Sequence, residues 1–421
     1  MDLFEQRLID QIVEIQTSSL PNGLKIIHQQ MSSSAVFHCG LFVNVGSRDE
    51  TKDERGVAHF LEHALFKGTK RRKAFHILNR LDVVGGELNA YTTKEETVLY
   101  ASVLNTHMDR ALEIIADISF ESTFPEHELV KEKTVVIDEI LSYQDAPSEL
   151  IFEDFDEYLF KDCSLGNDIL GTKQDVNNIT RKKLQSFVTK HYVPNNMVVS
   201  TVGNFSLEQV EKKIAKYFER FEFSAVPKTR TQIPVSKQFI KEIKKETHQC
   251  HVILGSEACS YNHEDKTAMV LLNNFLGGPA LNSRLNMEVR EKKGYVYSID
   301  SSLQAYSDVG QFSIYFGVDS KNLNKTKKLV YKELNKITNT ELSELKLHQA
   351  KEQMKGFMAL GMESPVGIML GLGKSYLLSD KVDTVQDILK KIDEVTAKEI
   401  IEVANKYVHP SSMSELSYLS K

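Results

Sequence analysis

The sequence has little of what would commit it to an oxidising compartment, a membrane or nucleic acid. Its four cysteines are Cys39, Cys163, Cys250 and Cys259. They form no CxxC pair, which is typical of reduced core thiols. Apolar runs such as GLFVNVG are far shorter than a membrane span, and the acidic, interrupted start does not resemble a secretory signal. A net charge of −6, with Lys and Glu intermixed, provides no basic stripe. We therefore expect a cytoplasmic protein that binds neither membrane nor nucleic acid.

What the sequence does contain is an internal repeat. ITRKKLQSFVTKHYVPNNM (179–197) and VTAKEIIEVANKYVHPSSM (395–413) share a Thr at the start of an amphipathic helix, a Pro and a Met. The offset is constant at 216 residues (396 minus 180), which is half of the chain. Strand and helix patterns also recur in the same order in both halves. The sequence therefore predicts two homologous domains.

The length of 421 residues also exceeds that of one ordinary domain. We place an N-terminal domain at 1–222, a linker in the polar, Pro-containing stretch 223–234, and a C-terminal domain at 235–421. Hairpin-like strand spacing, with helices grouped between the strands, predicts the α+β class. Each domain would be a mostly antiparallel sheet with helices packed on one face.

The segment HFLEH (59–63) is the strongest chemical signal in the sequence. On a helix, His59, Glu62 and His63 share one face. Two imidazoles four residues apart can chelate zinc and leave a position open for water, while the carboxylate between them is placed to accept a proton. This is the HxxEH order. The alternative is a helix whose polar residues face solvent, but polar groups on an otherwise apolar helix are costly unless they are paired or bind metal.

A zinc site needs a third protein ligand, and the helix predicted at 126–145 offers two candidates. Glu132 and Glu139 lie seven residues apart, which places them two turns apart on one helix face. Solvated surface glutamates have the same spacing. The spacing alone does not decide which glutamate would reach the metal.

GVAHFLEHALFKGT, followed by Glu139 at 76 residues (139 minus 63) after the second His, resembles the pitrilysin-type inverzincin metallopeptidases. More narrowly, the chain resembles the branch that contains the mitochondrial processing peptidase β subunit and its bacterial homologues. The resemblance covers nearly the whole chain. It implies one Zn²⁺ per chain held by His59, His63 and Glu139, with Glu62 as general base on the zinc-bound water. It also implies that Glu132 is a supporting carboxylate of the catalytic site.

The stretch ELNAYTTKEETVLY (87–100) resembles the strand on whose edge the family binds its substrate. An edge strand offers unpaired N–H and C=O groups, so an extended peptide can join the sheet whatever its side chains. By resemblance, Asn89 and Ala90 contact the substrate near the scissile bond. The alternative is an ordinary strand after a Gly-Gly turn.

The second half has no HxxEH motif, so we expect it to be non-catalytic and to contribute substrate-binding residues. LGGPALNSRLNMEVREKKGYVYSI resembles a family stretch with an Arg and a Tyr seven residues apart, here Arg290 and Tyr297. The resemblance implies that both hold the substrate backbone and the developing oxyanion. Tyr295 is close enough to be the alternative tyrosine, and a core tyrosine beside a surface arginine is another interpretation.

The resemblance implies a zinc-dependent endopeptidase that hydrolyses short or unfolded peptides inside a closed chamber. In the family four such domains close the chamber, so we expect a homodimer with the chamber between its subunits. Two alternatives remain open: a catalytically silent partner or scaffold subunit of the same fold, and the active half of a heterodimeric peptidase. We find no motif in the sequence that indicates a cleavage preference.

Overall fold

The structure is a computed structural model that describes residues 15–221, 230, 233–234 and 237–420. The chain forms two compact units. The first contains Met1–Leu141, Asn167–Arg230 and Ala359–Val385, and the second contains Ser142–Gly166, Thr231–Met358 and Gln386–Lys421. Of the predicted linker 223–234, only three residues are described: Arg230, Ile233 and Pro234. The rest of that prediction lies outside the described residues.

The strands are short and fall into two sets. The first set is β1 (Ile15–Ser19), β2 (Lys25–Gln30), β3 (Val36–Val43), β4 (Glu87–Thr92), β5 (Thr97–Leu104) and β6 (Met197–Gly203). The second set is β7 (Ile240–Lys245), β8 (Cys250–Ala258), β9 (Val296–Ala305), β10 (Gly310–Val318) and β11 (Ser414–Ser420).

Helices alternate with groups of strands in both halves. In the first half they are α1 (Val57–Leu65), α2 (Ala74–Asp82), α3 (Met108–Phe120), α4 (Glu126–Gln144), α5 (Pro147–Leu159), α6 (Lys173–Asn177), α7 (Arg181–His191) and α8 (Leu207–Phe218). In the second half they are α9 (Lys266–Gly277), α10 (Leu323–Asn339), α11 (Glu344–Met362), α12 (Pro365–Ser379), α13 (Val385–Glu394) and α14 (Ala397–Tyr407).

The two sheets have the same topology. The first has the order β1-β2-β6-β3-β5-β4 and the second β7-β11-β8-β10-β9. Apart from the additional β1, the strands therefore correspond one to one. In each described sheet a single strand pair is parallel, β2 with β6 and β7 with β11, and the other pairs are antiparallel. The predicted α+β class with two homologous, mostly antiparallel domains is confirmed.

The bounds of two helices reproduce the repeat found in the sequence. Helix α7 starts and ends 216 residues before α14 (397 minus 181, and 407 minus 191). Each begins after an N-cap threonine, Thr180 or Thr396, whose side chain accepts a hydrogen bond from a backbone N–H of the first turn. The repeat therefore extends to the hydrogen bond that starts each helix.

Side chains of the first sheet alternate between two apolar layers, because successive residues of a strand point to opposite faces. One face packs into the main core of the first unit with α1 and α3, through residues that include Ile26, Leu41, Leu99 and Val199. The other face packs against Met369 and Leu372 of α12, through Ile27, Phe42, Val98 and Val198. The helices predicted for one face are present, and among the described residues α12 covers the other face.

One helix from each half of the sequence packs on the sheet that the other half forms. Helix α12 comes from the second half yet packs on the first sheet, where Gly373 leaves no room for a Cβ beside the Phe42 ring. Helix α5 comes from the first half yet packs on the second sheet, with Phe155 against Ile253 and Leu416. The compact units are therefore discontinuous, whereas the predicted boundaries at 222 and 235 assign each helix to its own half.

Within the described ranges, no single helix has both the length and the hydropathy needed to cross a membrane. Helices α11 and α12 meet that criterion only when they are taken together as a bent pair.

Arg230 lies within the predicted linker 223–234 and pairs with residues of the first unit. Its Nε and Nη2 atoms donate to the two carboxylate oxygens of Asp49 at 3.1 and 3.0 Å, a bidentate geometry. Its Nη1 atom lies 2.9 Å from a carboxylate oxygen of Glu95, in the turn between β4 and β5. Arg230 itself is therefore held at the turn between β4 and β5.

Candidate metal centre

Helix α1 is held at its N-terminus by a glycine and a buried carboxylate. Gly56, the N-cap residue, has φ 76° and lies so close to the carbonyl oxygen of Leu170 that an added Cβ would be 2.6 Å from it. The Glu50 carboxylate accepts hydrogen bonds from the backbone N–H groups of Gly56 and Ala58 at 3.0 and 2.7 Å. These bonds satisfy N–H groups that the helix itself leaves without partners, and so fix where α1 begins.

Three side chains converge beside this helix. His59 and His63 of α1 and Glu139 of α4 each bring one ligand atom to a site where these atoms lie within 4.8 Å of one another. The Nε2 atoms of His59 and His63 are 3.7 and 3.5 Å from the two Glu139 carboxylate oxygens. A tetrahedral zinc site with bonds of about 2.0–2.1 Å separates its ligand atoms by about 3.3 Å. The donor set therefore fits Zn²⁺, which prefers four ligands and would keep one position for water.

Four ionisable groups of this centre have shifted pKa values: His59, Glu62, His63 and Glu132. Burial, together with the neighbouring His63, lowers the pKa of His59 to about 4, so this imidazole is neutral at physiological pH, as a metal ligand must be. Burial also lowers the pKa of His63, but the hydrogen bond to Glu132 and the charges of Glu132, Glu62 and Glu139 together outweigh it, and the net shift is upward. Burial raises the pKa of Glu62.

Glu62 lies beside the converging ligands and is held by a strand residue. The Thr92 hydroxyl, at the end of β4, donates a hydrogen bond of 2.7 Å to a Glu62 carboxylate oxygen. Glu62 does not belong to the group of converging ligand atoms. Its carboxylate is thus held in one orientation but is not among the candidate metal ligands. A general base needs this arrangement, because its carboxylate must be free to accept a proton.

Glu132 connects the centre to a lysine. One of its carboxylate oxygens accepts from Nδ1 of His63 at 2.9 Å and the other pairs with the Lys67 ammonium at 2.6 Å. Burial alone would raise the pKa of Glu132, yet the hydrogen bonds from His63 and Lys67 outweigh it and hold this pKa below its usual value. A donor bond at Nδ1 leaves the Nε2 lone pair of His63 directed at Glu139. By contrast, Nδ1 of His59 is buried and has no hydrogen-bond partner among the described residues.

Strand β4 is the edge of the first sheet in the described structure, since its ladder runs to β5 alone. Asn89 is exposed, and Ala90 is half-buried against the main core. Thr92, the partner of Glu62, is the last residue of this strand. The predicted substrate strand is thereby linked through one hydrogen bond to the carboxylate predicted to act as general base.

Arg290 and Tyr297 lie together in the second unit. Arg290 belongs to a π-helical segment, Asn286–Glu291, a conformation that occurs often at functional sites. Its guanidinium carbon is 6.0 Å from the centre of the Tyr297 ring, and Tyr297 is 84% exposed. Tyr295 is half-buried and packs against the core of its unit. The geometry favours Tyr297 over Tyr295 as the partner of Arg290, and the contact of either residue with a substrate stays a prediction.

Three residues of the centre were missed by the sequence analysis: Glu50, Lys67 and Thr92. Thr92 follows Ala90 by two residues, so strand periodicity places both side chains on one face. Lys67 follows His63 by four residues, although α1 ends before it. For Glu50 we find no signal in the sequence, because its role depends on a loop that returns to the start of α1.

A two-unit α+β fold with an HxxEH helix and a converging carboxylate defines a class of metal-dependent hydrolases, and comparisons with known proteins agree. Residues 25–173 match the family described as Insulinase (Peptidase family M16), and residues 178–354 match the Peptidase M16 inactive domain. The chain is 34% identical to "Uncharacterized zinc protease YmxG" of Bacillus subtilis, over 93% of this chain and 95% of that protein. It is also 34% identical to an "Uncharacterized zinc protease" of Streptomyces coelicolor, over 93% and 86%. The chain belongs to peptidase family M16.

Solved structures show the same fold. A protease from Helicobacter pylori superposes with a TM-score of 0.90 at 23% identity, covering 97% of this chain and 99% of that one. A protein from Pseudomonas fluorescens described as a peptidase M16 inactive domain superposes with a TM-score of 0.91 at 22% identity, covering 97% and 98%. At these identities the likeness concerns the fold alone.

Proposed function

We propose that the chain is a zinc-dependent endopeptidase. The observation that carries the proposal is the convergence of His59, His63 and Glu139 on one point, with Glu62 beside them and outside the ligand set. Relatives named zinc proteases support zinc as the metal. The narrower placement beside the mitochondrial processing peptidase β subunit rests on the sequence resemblance alone.

The residues of the centre suit hydrolysis of a peptide bond. His59, His63 and Glu139 would hold the zinc ion, which would supply a Lewis acid to polarise the scissile carbonyl and to make water more acidic. Glu62 takes a proton from the attacking water and returns it to the leaving amine. Thr92 holds the Glu62 carboxylate in place through its hydrogen bond, and Glu132 fixes the ring of His63. Glu62 therefore transfers the proton, while Thr92 and Glu132 orient Glu62 and His63.

The proposed substrate is an extended peptide that adds to the free edge of β4 near Asn89 and Ala90. Because this mode reads the main chain, it selects short or unfolded peptides rather than a particular sequence. Arg290 and Tyr297 are proposed to hold the substrate backbone and the developing oxyanion. A homodimer that encloses the peptide in a chamber, and a cytoplasmic location, complete the proposal.

The test compares cleavage of a quenched fluorescent, unstructured peptide of about twenty residues by wild type and by Glu62→Gln, each with its zinc content measured. The amide keeps the size of the side chain but accepts no proton, so kcat should fall at least about 100-fold while zinc stays bound. Glu126→Gln, an exposed change at the start of α4, is the control. Equal rates for wild type and Glu62→Gln would contradict the proposal.

A second candidate is a catalytically silent partner subunit, because residues 178–354 match a family described as an inactive domain. This candidate predicts a zinc-loaded protein that cleaves no peptide alone. The protein purified from its own cells can be separated by denaturing electrophoresis to distinguish the assemblies. A single chain size supports the homodimer, and two unequal chain sizes support a heterodimer.

A further inference from the structure

Lys67 lies just beyond the end of α1, and its ammonium faces the carboxylate that orients His63. The distance from Lys67 Nζ to the Glu132 oxygen is 2.6 Å, and the other oxygen of the same carboxylate accepts from His63 Nδ1 at 2.9 Å. Glu132 is buried, at 4% exposure, whereas 27% of the Lys67 side chain is exposed. The three groups form one chain of charge-assisted hydrogen bonds that ends on a candidate metal ligand.

A carboxylate as buried as Glu132 needs a partner for each oxygen, because a buried charge without one is costly. With Lys67 on one oxygen and His63 on the other, the carboxylate plane is fixed. The Nδ1–H of His63 is then fixed too, and with it the tautomer that presents Nε2 to Glu139. Without the ammonium, one Glu132 oxygen has no cation to hold it, and the carboxylate can turn away from His63.

We propose that Lys67 is a positioning residue for metal binding, acting on His63 through Glu132. The inference rests on the proposed function, since it takes His63 to be a zinc ligand. It concerns one of the two histidines only, because the Nδ1 atom of His59 has no such partner among the described residues. The expected effect is that of losing an outer partner of a metal ligand, a 10- to 100-fold weakening of zinc affinity.

The experiment measures the dissociation constant of Zn²⁺ by competition with a chromophoric chelator at one fixed pH. Lys67→Met removes the charge and keeps much of the length of the side chain, so zinc should bind 10- to 100-fold more weakly. Lys67→Arg restores a cation at the same place and should return the affinity to within about threefold of wild type. Lys70→Met is the matched control, because Lys70 also pairs with a glutamate, Glu121 at 2.7 Å, but is 69% exposed.

A double-mutant cycle tests whether Lys67 acts through Glu132. In a Glu132→Gln background, Lys67→Met should weaken zinc binding by no more than about threefold, because the carboxylate on which Lys67 acts is gone. Thermal unfolding of the zinc-free proteins provides a second readout. If the variants unfold alike while their zinc affinities differ, the loss is at the site and not in the fold.

The outcomes separate the two proposals. If wild type binds zinc and Lys67→Met binds it equally well, the role of Lys67 is overturned and the proposed function stands. If Lys67→Met weakens binding as strongly in the Glu132→Gln background as in wild type, Lys67 does not act through Glu132 and the inference is overturned. If wild type itself binds no zinc, the proposed function fails and the inference falls with it.

Discussion

Corresponding helices of the two units show what the metal centre adds to the fold. Helix α1 carries the His, Glu and His of the motif, whereas α9, at the same place in the repeat, reads KTAMVLLNNFLG and buries mainly apolar residues. Helices α4 and α11 both have 19 residues. Their seventh residues are Glu132 and Ala350, and their fourteenth are Glu139 and Phe357. The fold therefore forms without either glutamate.

The difference shows that the first unit contains two glutamates, Glu132 and Glu139, that the fold itself does not require. The seventh position is buried in both helices, with Glu132 at 4% and Ala350 at 6% exposure. An alanine there needs no partner, while the glutamate has His63 and Lys67. Natural proteins break local packing rules mainly at functional sites. The comparison thus supports assigning the chemistry to the first unit.

The largest effect is expected when the ligand position itself is changed. Glu139→Ala removes one of three converging donors, so zinc affinity should fall by more than the roughly 100-fold expected for an outer partner. The change is read by chelator competition. Phe357→Ala, at the corresponding position of α11, is the control and should leave zinc affinity unchanged. Equal losses of zinc affinity in both variants would show that Glu139 is not a zinc ligand that distinguishes α4 from α11.

A glutamate introduced into the second unit should destabilise it. Ala350→Glu buries a carboxylate without the partners that Glu132 has, so the free energy of unfolding should fall by about 3 kcal/mol. Urea denaturation measures this difference. Gln349→Glu, an exposed neighbour on the same helix, should change stability by less than about 0.5 kcal/mol. A stable Ala350→Glu protein would mean that the position tolerates charge in either unit.

A smaller effect is expected at the hydrogen bond that holds Glu62. Thr92→Val keeps the shape of the side chain but removes the donor, and a hydrogen bond to a charged group contributes about 1.5–3 kcal/mol. We expect kcat/KM for peptide cleavage to fall about tenfold or more while zinc content is unchanged. Thr189→Val, on the exposed side of α7, serves as the control. Unchanged kinetics would show that Thr92 does not orient Glu62 for catalysis.

The most gradual effect expected, and the smallest for any one step of a pH unit, is a dependence of zinc affinity on pH. His63 binds metal through a neutral imidazole, and its pKa is raised, so protons compete with zinc once the pH falls below that raised pKa. The pKa of His59 is about 4, so this histidine does not titrate until the pH is much lower. Zinc affinity should therefore fall by up to about tenfold per pH unit across the interval between the two pKa values. An affinity independent of pH there would contradict the role of His63.

The parts of the structure that follow from local periodicity could be predicted from the sequence. The HxxEH face, the threonine caps and the repeat depend on residues within one or two helical turns, or on two copies of one pattern. The exchange of α5 and α12 could not be predicted, because an amphipathic pattern shows that a helix has an apolar face but not which sheet covers it. Lys67 and Thr92 were missed for the same reason, since each acts on a residue of another segment.

The most direct test of the account is a crystal structure of the zinc-loaded protein with anomalous diffraction recorded at the zinc absorption edge. We expect one peak per chain, bonded to Nε2 of His59, Nε2 of His63 and a carboxylate oxygen of Glu139, and none beside α9. A peak bonded to Glu132 in place of Glu139, or zinc bound elsewhere with these three side chains unoccupied, would contradict it.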